Sequence, residues 1–240
     1  MGVSRQATLA LGWLLALIGI ALFAWLGLWQ LDRMHQKRAM LDAAHQVLQQ
    51  RHAVPLSAAA DMQRTRGYDW SAGEGRFAEL PAILLDNQER GGRAGVRVYR
   101  VFEPAHAEPL LVELGWLPLP GDRHMPTVPR PEGAFRVDGL LLPPPSAGIV
   151  RAIAAPQADG ALLAIALDVP MLRKALSLSS LAPRVLKLDP ALPLGFARDL
   201  DILPNTLPPE RHLGYAVQWF GLALTVLVTA VVLTFRKPRR

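Results

Sequence analysis

Pro208-Pro209-Glu210-Arg211-His212-Leu213-Gly214-Tyr215-Ala216-Val217-Gln218-Trp219-Phe220 opens a run that stays free of charged side chains as far as residue 235. Residues 213–235, 23 in all, carry no ionisable group except the Tyr215 phenol. As a helix rising 1.5 Å per residue they cover about 34 Å, enough to cross the hydrocarbon layer of a bilayer. The stretch reads as a membrane-spanning helix with Arg211 and His212 at its mouth.

On a helical wheel His212, Tyr215, Ala216, Trp219, Ala223 and Val226 share one face, while Gly214, Gln218, Gly221, Thr225 and Thr229 share another. Small and hydroxyl-bearing residues let helix backbones approach closely in lipid. The glycine and threonine face is therefore the expected contact with a second helix, which leaves the histidine face free. A histidine at such a mouth has two readings, an interfacial residue beside aromatic anchors or a ligand for metal or haem.

Residues 7–29 form a second uncharged run of 23, with Trp13, Trp25 and Trp29 set towards its ends. Its apolar core exceeds that of a secretory signal peptide, and Gln30-Leu31-Asp32-Arg33-Met34-His35-Gln36-Lys37-Arg38 lacks a small-residue cleavage site, so the segment is expected to remain as an anchor. Two spans put both termini on one side. Arg5 and the four cations Arg236, Lys237, Arg239 and Arg240 assign that side to the cytoplasm. Arg33, Lys37 and Arg38 run against the rule, but a long loop is translocated largely regardless of its charge. The expected layout is a cytoplasmic tail (1–6), a first transmembrane helix (7–31), an extracytoplasmic stalk and domain (32–211), a second transmembrane helix (212–235) and a basic cytoplasmic tail (236–240).

Composition agrees with that layout. The 240 residues have a mean hydropathy of +0.20 and no cysteine, which removes disulfides, thiolate ligands and cysteine nucleophiles from consideration. The formal charge of +6 is no nucleic-acid signature, because residues 51–211 hold equal numbers of acidic and basic side chains and the excess sits beside the two spans.

Beyond the first span a helical pattern continues through Leu31, Met34, Leu41, Ala44 and Leu48 until Val54-Pro55 breaks it, with His35, His45 and His52 solvated on or near this stalk. From Gly75 short strands follow. One is expected over 76–85, closed by the turn cluster Asp86-Asn87-Gln88-Glu89-Arg90-Gly91-Gly92, and others over 96–102, 110–117 and 135–142. Eighteen of the 21 prolines lie between Pro104 and Pro209, which disfavours long helices there. Residues 170–181 are the helical exception, with Pro170 at the first turn and strands expected on either side at 162–167 and 184–188. The fold class is thus an α+β membrane protein, two transmembrane helices flanking a β-rich extracytoplasmic domain.

The chain resembles the Surfeit locus protein 1 family of cytochrome c oxidase assembly factors. The resemblance rests on Leu26-Gly27-Leu28-Trp29-Gln30-Leu31-Asp32-Arg33, on Gly75-Arg76-Phe77 leading to Asp86-Asn87-Gln88, on Leu111-Val112-Glu113-Leu114-Gly115-Trp116-Leu117-Pro118, and on residues 212–220. It departs at Asn87-Gln88, where the family usually has Asn-Arg, and at Glu113-Leu114-Gly115-Trp116, where Arg-Gly-Trp is usual.

The resemblance implies a non-catalytic protein of the bacterial inner membrane with its main domain periplasmic. It would bind haem a transiently and assist its insertion into the large haem-bearing subunit of the oxidase, with haem A synthase as a further partner. The position tied to haem in relatives matches His212. Arg211 with the helix N-terminus would then pair with a propionate, while Tyr215 and Trp219 would line the macrocycle. The rival reading is a scaffold that stabilises oxidase subunits without haem. An enzyme is disfavoured because Gly-x-Ser-x-Gly and His-Glu-x-x-His are both missing and the carboxylates are scattered.

Overall fold

The structure, a computed structural model, describes residues 5–145, 154–157, 160–203 and 206–236. Most of both expected cytoplasmic tails, including Lys237, Arg239 and Arg240, lies outside the described residues. The chain divides into two compact units, one of residues 1–42 and 206–240 and one of residues 43–205.

The first unit is a helix pair. Helix α1 (Arg5–Gln50) continues well past the apolar run, as its heptad-like stalk requires, and ends where Arg51 turns left-handed at φ 46°. A second long helix, labelled α3 below, covers Pro209–Phe235 with Pro209 in its first turn. Leu11, Leu14, Trp25 and Leu28 on α1 and Leu224, Val228 and Val232 on α3 are exposed. The core helix of a soluble domain would have buried such side chains, and both helices are long and apolar enough to cross a membrane.

The second unit is built on strands β1 (Ala53–Pro55), β2 (Asp69–Phe77), β3 (Ile83–Arg90), β4 (Arg93–Pro104), β5 (Leu110–Pro118), β6 (Ala134–Leu142), β7 (Ala154–Pro156), β8 (Leu162–Ala164) and β9 (Val185–Leu188). Among the described residues they form one sheet ordered β1-β2-β6-β9-β5-β4-β3-β8-β7. Because β2 also pairs with β4, through Gly75↔Pro104 to Phe77↔Phe102, the strands β2, β6, β9, β5 and β4 close into a ring. Side chains alternate between two cores. Val98, Phe102, Leu110, Val112 and Leu114 enter one together with Phe77, Val137 and Leu186. Tyr99, Val101 and Leu111 enter the other, beneath helix α2 (Val169–Ala175) and its Val169 and Leu172.

Several sequence expectations need correction. Residues 76–85 are not one strand, since β2 ends at Phe77, Pro81 stands in the break, and β3 begins at Ile83. The expected turn cluster is largely strand. Only Gly91 and Gly92 turn, both at positive φ (57° and 74°), giving the two-residue hairpin between Arg90 and Arg93 that matches strand twist. Asn87, also left-handed at φ 56°, sits in the β3 irregularity between Leu85 and Gln88. Helix α2 is shorter than 170–181 because Ser177 goes left-handed (φ 54°), although Asp168 caps its start by accepting from the Met171 N–H at 2.8 Å. Strand 162–167 shrinks to β8, while β9 and the strands expected at 96–102, 110–117 and 135–142 stand within a residue or two at most ends.

Charged side chains are buried inside this unit, and each is engaged. Glu113 accepts from Arg97 Nη1 at 2.5 Å and from the Tyr99 hydroxyl at 2.9 Å, and it lies 3.7 Å from Lys187 Nζ. Lys187 donates to the Asp201 carbonyl, and Arg198 donates to the carbonyls of Asp189, Leu192 and Phe196, so the irregular segment after β9 is pinned to the sheet. The same segment lies across a bulge in β5. There Gly115 adopts φ 123°, and the Phe196 carbonyl oxygen stands 2.8 Å from where a Cβ would be, so glycine is required on both counts. Arg184, fully buried, binds Asp69 at 2.8 Å and the carbonyls of Gly67 and Leu141.

Candidate functional site

The residues the sequence singles out lie at the start of α3. His212 is 7% exposed, and its Nδ1 is 2.7 Å from Gln30 Oε1 on α1. A carboxamide oxygen has only lone pairs to offer, so Nδ1 carries the proton and donates. The second ring nitrogen, Nε2, is buried without a hydrogen-bond partner. It is left with a free lone pair, which is the form of imidazole that binds iron.

The two helices meet along a seam that runs from this pair towards the other end of the unit. Trp219 stacks on Phe23 with ring centroids 5.7 Å apart, and Phe220 closes on Gly27, where a Cβ would stand 2.7 Å from its ring atoms. Farther along, Gly19 faces Val226, and Trp13 Nε1 donates to Thr234 Oγ1 at 2.9 Å. Ala216 and Ala223 are buried between these contacts. The α3 side of the seam is therefore His212, Ala216, Trp219, Ala223 and Val226, spaced four, three, four and three as in a left-handed helix pair.

This reverses the face assignment made from the wheel. Gly214 and Gly221 have nothing within 4 Å of a would-be Cβ, and Thr225 and Thr229 are exposed with hydroxyls turned back onto the carbonyls of Gly221 and Thr225. Close approach comes from a glycine of the other helix, Gly27. The histidine face is not free; it is the contact. Accordingly Gly27→Val should push the helices apart at a cost of about 1–3 kcal/mol, whereas Gly221→Leu should leave them paired. In a chain without cysteine, Gly19→Cys with Val226→Cys gives a clean crosslinking readout. The crosslink should slow several-fold in the Gly27→Val background and hold in the Gly221→Leu background; the opposite pattern would restore the glycine face as the contact.

The four predicted site residues are not gathered equally. His212 is in the seam, Trp219 is half-buried there against Phe23, Tyr215 is 38% exposed, and Arg211 points to solvent with no ion-pair partner among the described residues. The cations whose charge reaches the His212 ring are Lys37 and Arg33 on α1. Lys37 donates to the Leu207 carbonyl, and burial and then the nearby Arg33 push its ammonium below the usual range. Gln30, Lys37 and Arg33 went unnoticed as site residues because each sits far away in sequence. The available signal was antiparallel pairing of the two apolar helices, which brings the end of the first apolar run and the start of the second, and hence Gln30 and His212, to the same level.

His35, His45 and His52 are exposed, as expected of stalk residues. No group of three or more histidine, aspartate or glutamate side chains able to hold a metal occurs among the described residues. The site can offer one neutral imidazole, cations beside it and an aromatic pair below it, a donor set that suits an axially ligated macrocycle better than a bare ion. Compared with known proteins, the chain matches the model of the SURF1 family over residues 17–224, and it matches no curated protein.

Proposed function

Because this chain belongs to the SURF1 family, whose members are associated with assembly of cytochrome c oxidase, we propose that it receives haem a on His212 and holds it for insertion into the oxidase's large haem-bearing subunit. The observation that carries this is the state of His212, with Nδ1 committed to Gln30 and Nε2 buried and unpartnered. A histidine serving only as an interfacial anchor would keep a ring nitrogen in water or headgroups.

Haem a is cargo here, and its iron supplies an open coordination position to an imidazole nitrogen. The protein's part is to bind and orient. His212 offers Nε2, the Trp219–Phe23 stack gives an apolar wall two turns farther along the seam, and Tyr215 lies one turn in from His212 on the exposed side. Lys37 and Arg33 can pair with propionates from α1, with Arg211 a solvent-side partner from α3. Because Nε2 is buried, iron reaches it only when a covering side chain moves, which suits a carrier that must take up its ligand and release it.

In this reading the protein is a two-span protein of the bacterial inner membrane, with both termini cytoplasmic and the β-domain periplasmic, working beside the oxidase subunit and haem A synthase. The rival, a scaffold without haem, takes the Gln30–His212 bond as a plain interhelical hydrogen bond. The test is the full chain purified from a host that makes haem a, together with reporter fusions at Gly121 and after residue 236. A haem a absorption band and an extracytoplasmic signal at Gly121 alone are expected. A colourless protein would favour the scaffold, and a cytoplasmic signal at Gly121 would sink the two-span layout.

A further inference from the structure

We propose that Gln30 is the positioning residue of the His212 site: through its Oε1 it fixes the tautomer and ring orientation of His212 and sets the donor strength of Nε2. The inference rests on the haem reading above and goes beyond it to a residue of the other helix. Gln30 ends the first apolar run, half-buried, and its carboxamide oxygen lies 2.7 Å from Nδ1. That places the acceptor on the nitrogen opposite the unpartnered Nε2. Ligating histidines commonly donate their other ring N–H to such an acceptor, which holds the ring in place and raises the basicity of the ligating nitrogen.

The neighbourhood explains why a neutral acceptor stands there. Lys37 and Arg33 already bring positive charge to the ring. A carboxamide accepts the Nδ1 proton without becoming an ion-pair partner for those cations, so they stay available to an anionic ligand. Gln30 belongs with His212 to one compact unit, and its effect on the ring is through that hydrogen bond.

The experiment compares wild type, Gln30→Leu, Gln30→Glu and His212→Ala, each the full chain from the same haem a-producing host. It reads the haem-to-protein ratio and the midpoint potential of the bound haem. Gln30→Leu removes the acceptor and should lower haem retention by about tenfold to a hundredfold, the usual cost of losing a ligand's outer partner. Gln30→Glu supplies a stronger acceptor, adds imidazolate character, and should keep haem while lowering its midpoint potential below that of wild type. If Gln30→Leu does not accumulate, the potential of Gln30→Glu decides. Haem lost by His212→Ala but kept by Gln30→Leu at wild-type ratio, or an unchanged potential in Gln30→Glu, would overturn the role of Gln30 alone. Haem retained by His212→Ala would overturn the haem reading and the role of Gln30 with it.

Discussion

His212→Ala is expected to reduce the haem-to-protein ratio at least tenfold while most of the protein still accumulates in the membrane. In the proposed site the substitution would remove the iron ligand, and His35 cannot stand in for it, being six residues, about 9 Å along the helix, beyond Trp29. It also removes an interhelical hydrogen bond, a loss worth roughly 0.6–1.7 kcal/mol in lipid. That is too little to separate helices still joined by the Phe23–Trp219 stack, the Gly27–Phe220 contact and the Trp13–Thr234 hydrogen bond. Arg211→Ala gives the scale for comparison. Its guanidinium is exposed, an exposed pair contributes about 1 kcal/mol or less, and the ratio should fall by no more than about fivefold. The measurement is haem and protein quantified on the same purified samples, with oxidase haem content followed in the host. An unchanged ratio in His212→Ala removes the site.

The second large effect concerns Glu113 in the β-domain. Arg97 and Lys187 both depend on this carboxylate, and the Tyr99 hydroxyl donates to it in the same buried pocket. Glu113→Ala leaves two buried cations with only the half-exposed Asp199 carboxylate, 3.6 Å from Lys187, as counter-charge, and breaking a buried pair in this way costs about 3–5 kcal/mol. For a domain of this size that is a fall in Tm of roughly 6–20 °C, read by near-ultraviolet circular dichroism of the detergent-solubilised chain. The defect should shrink as pH rises. Burial already holds the Lys187 ammonium below its usual range, so with Glu113 gone the lysine sheds its proton more readily, and the penalty is relieved above that lowered pKa. Arg76→Ala, which removes only the exposed pair with Glu103, should move Tm little. A Glu113→Ala melt within 2 °C of wild type, an allowance of under about 1 kcal/mol, would mean the cluster is solvated and not a buried network.

What could be read in the sequence follows from how local each signal is. Charge-free runs of membrane length and strands such as 96–102 and 110–117 depend on contiguous residues, and they stand. The strand expected at 76–85 failed because a propensity run cannot show that Pro81 marks a break between a strand of the ring, β2, and a strand outside it, β3. At Asn87 and Gln88 the polar residues that looked like a turn occupy an irregular outer strand instead. On the second apolar helix the wheel grouped His212, Ala216, Trp219, Ala223 and Val226 correctly, yet weight given to Gly214 and Gly221 assigned them the wrong role. The glycine that matters, Gly27, is on the other helix, and only a pairing register reveals it. Gln30 was legible as a motif residue but not as a partner for the same reason. The Glu113 cluster could not be foreseen at all, because it assembles side chains of β4, β5, β9 and the segment beyond.

The place of β9 in the ring bears on how the protein is made. Residues 185–188 pair in parallel with β5 and antiparallel with β6, lying between two strands that were synthesised some 45 to 75 residues earlier. Until that last strand arrives, both neighbours present unpaired edges and the ring stays open. The nascent domain therefore cannot complete its fold progressively as it emerges; closure waits for nearly the whole of it, and the second span follows about twenty residues later. Such late, long-range pairing is slow and exposes edges to mispairing. Biogenesis of this chain thus has a vulnerable interval, which ends only when residues 185–188 take their place between β5 and β6.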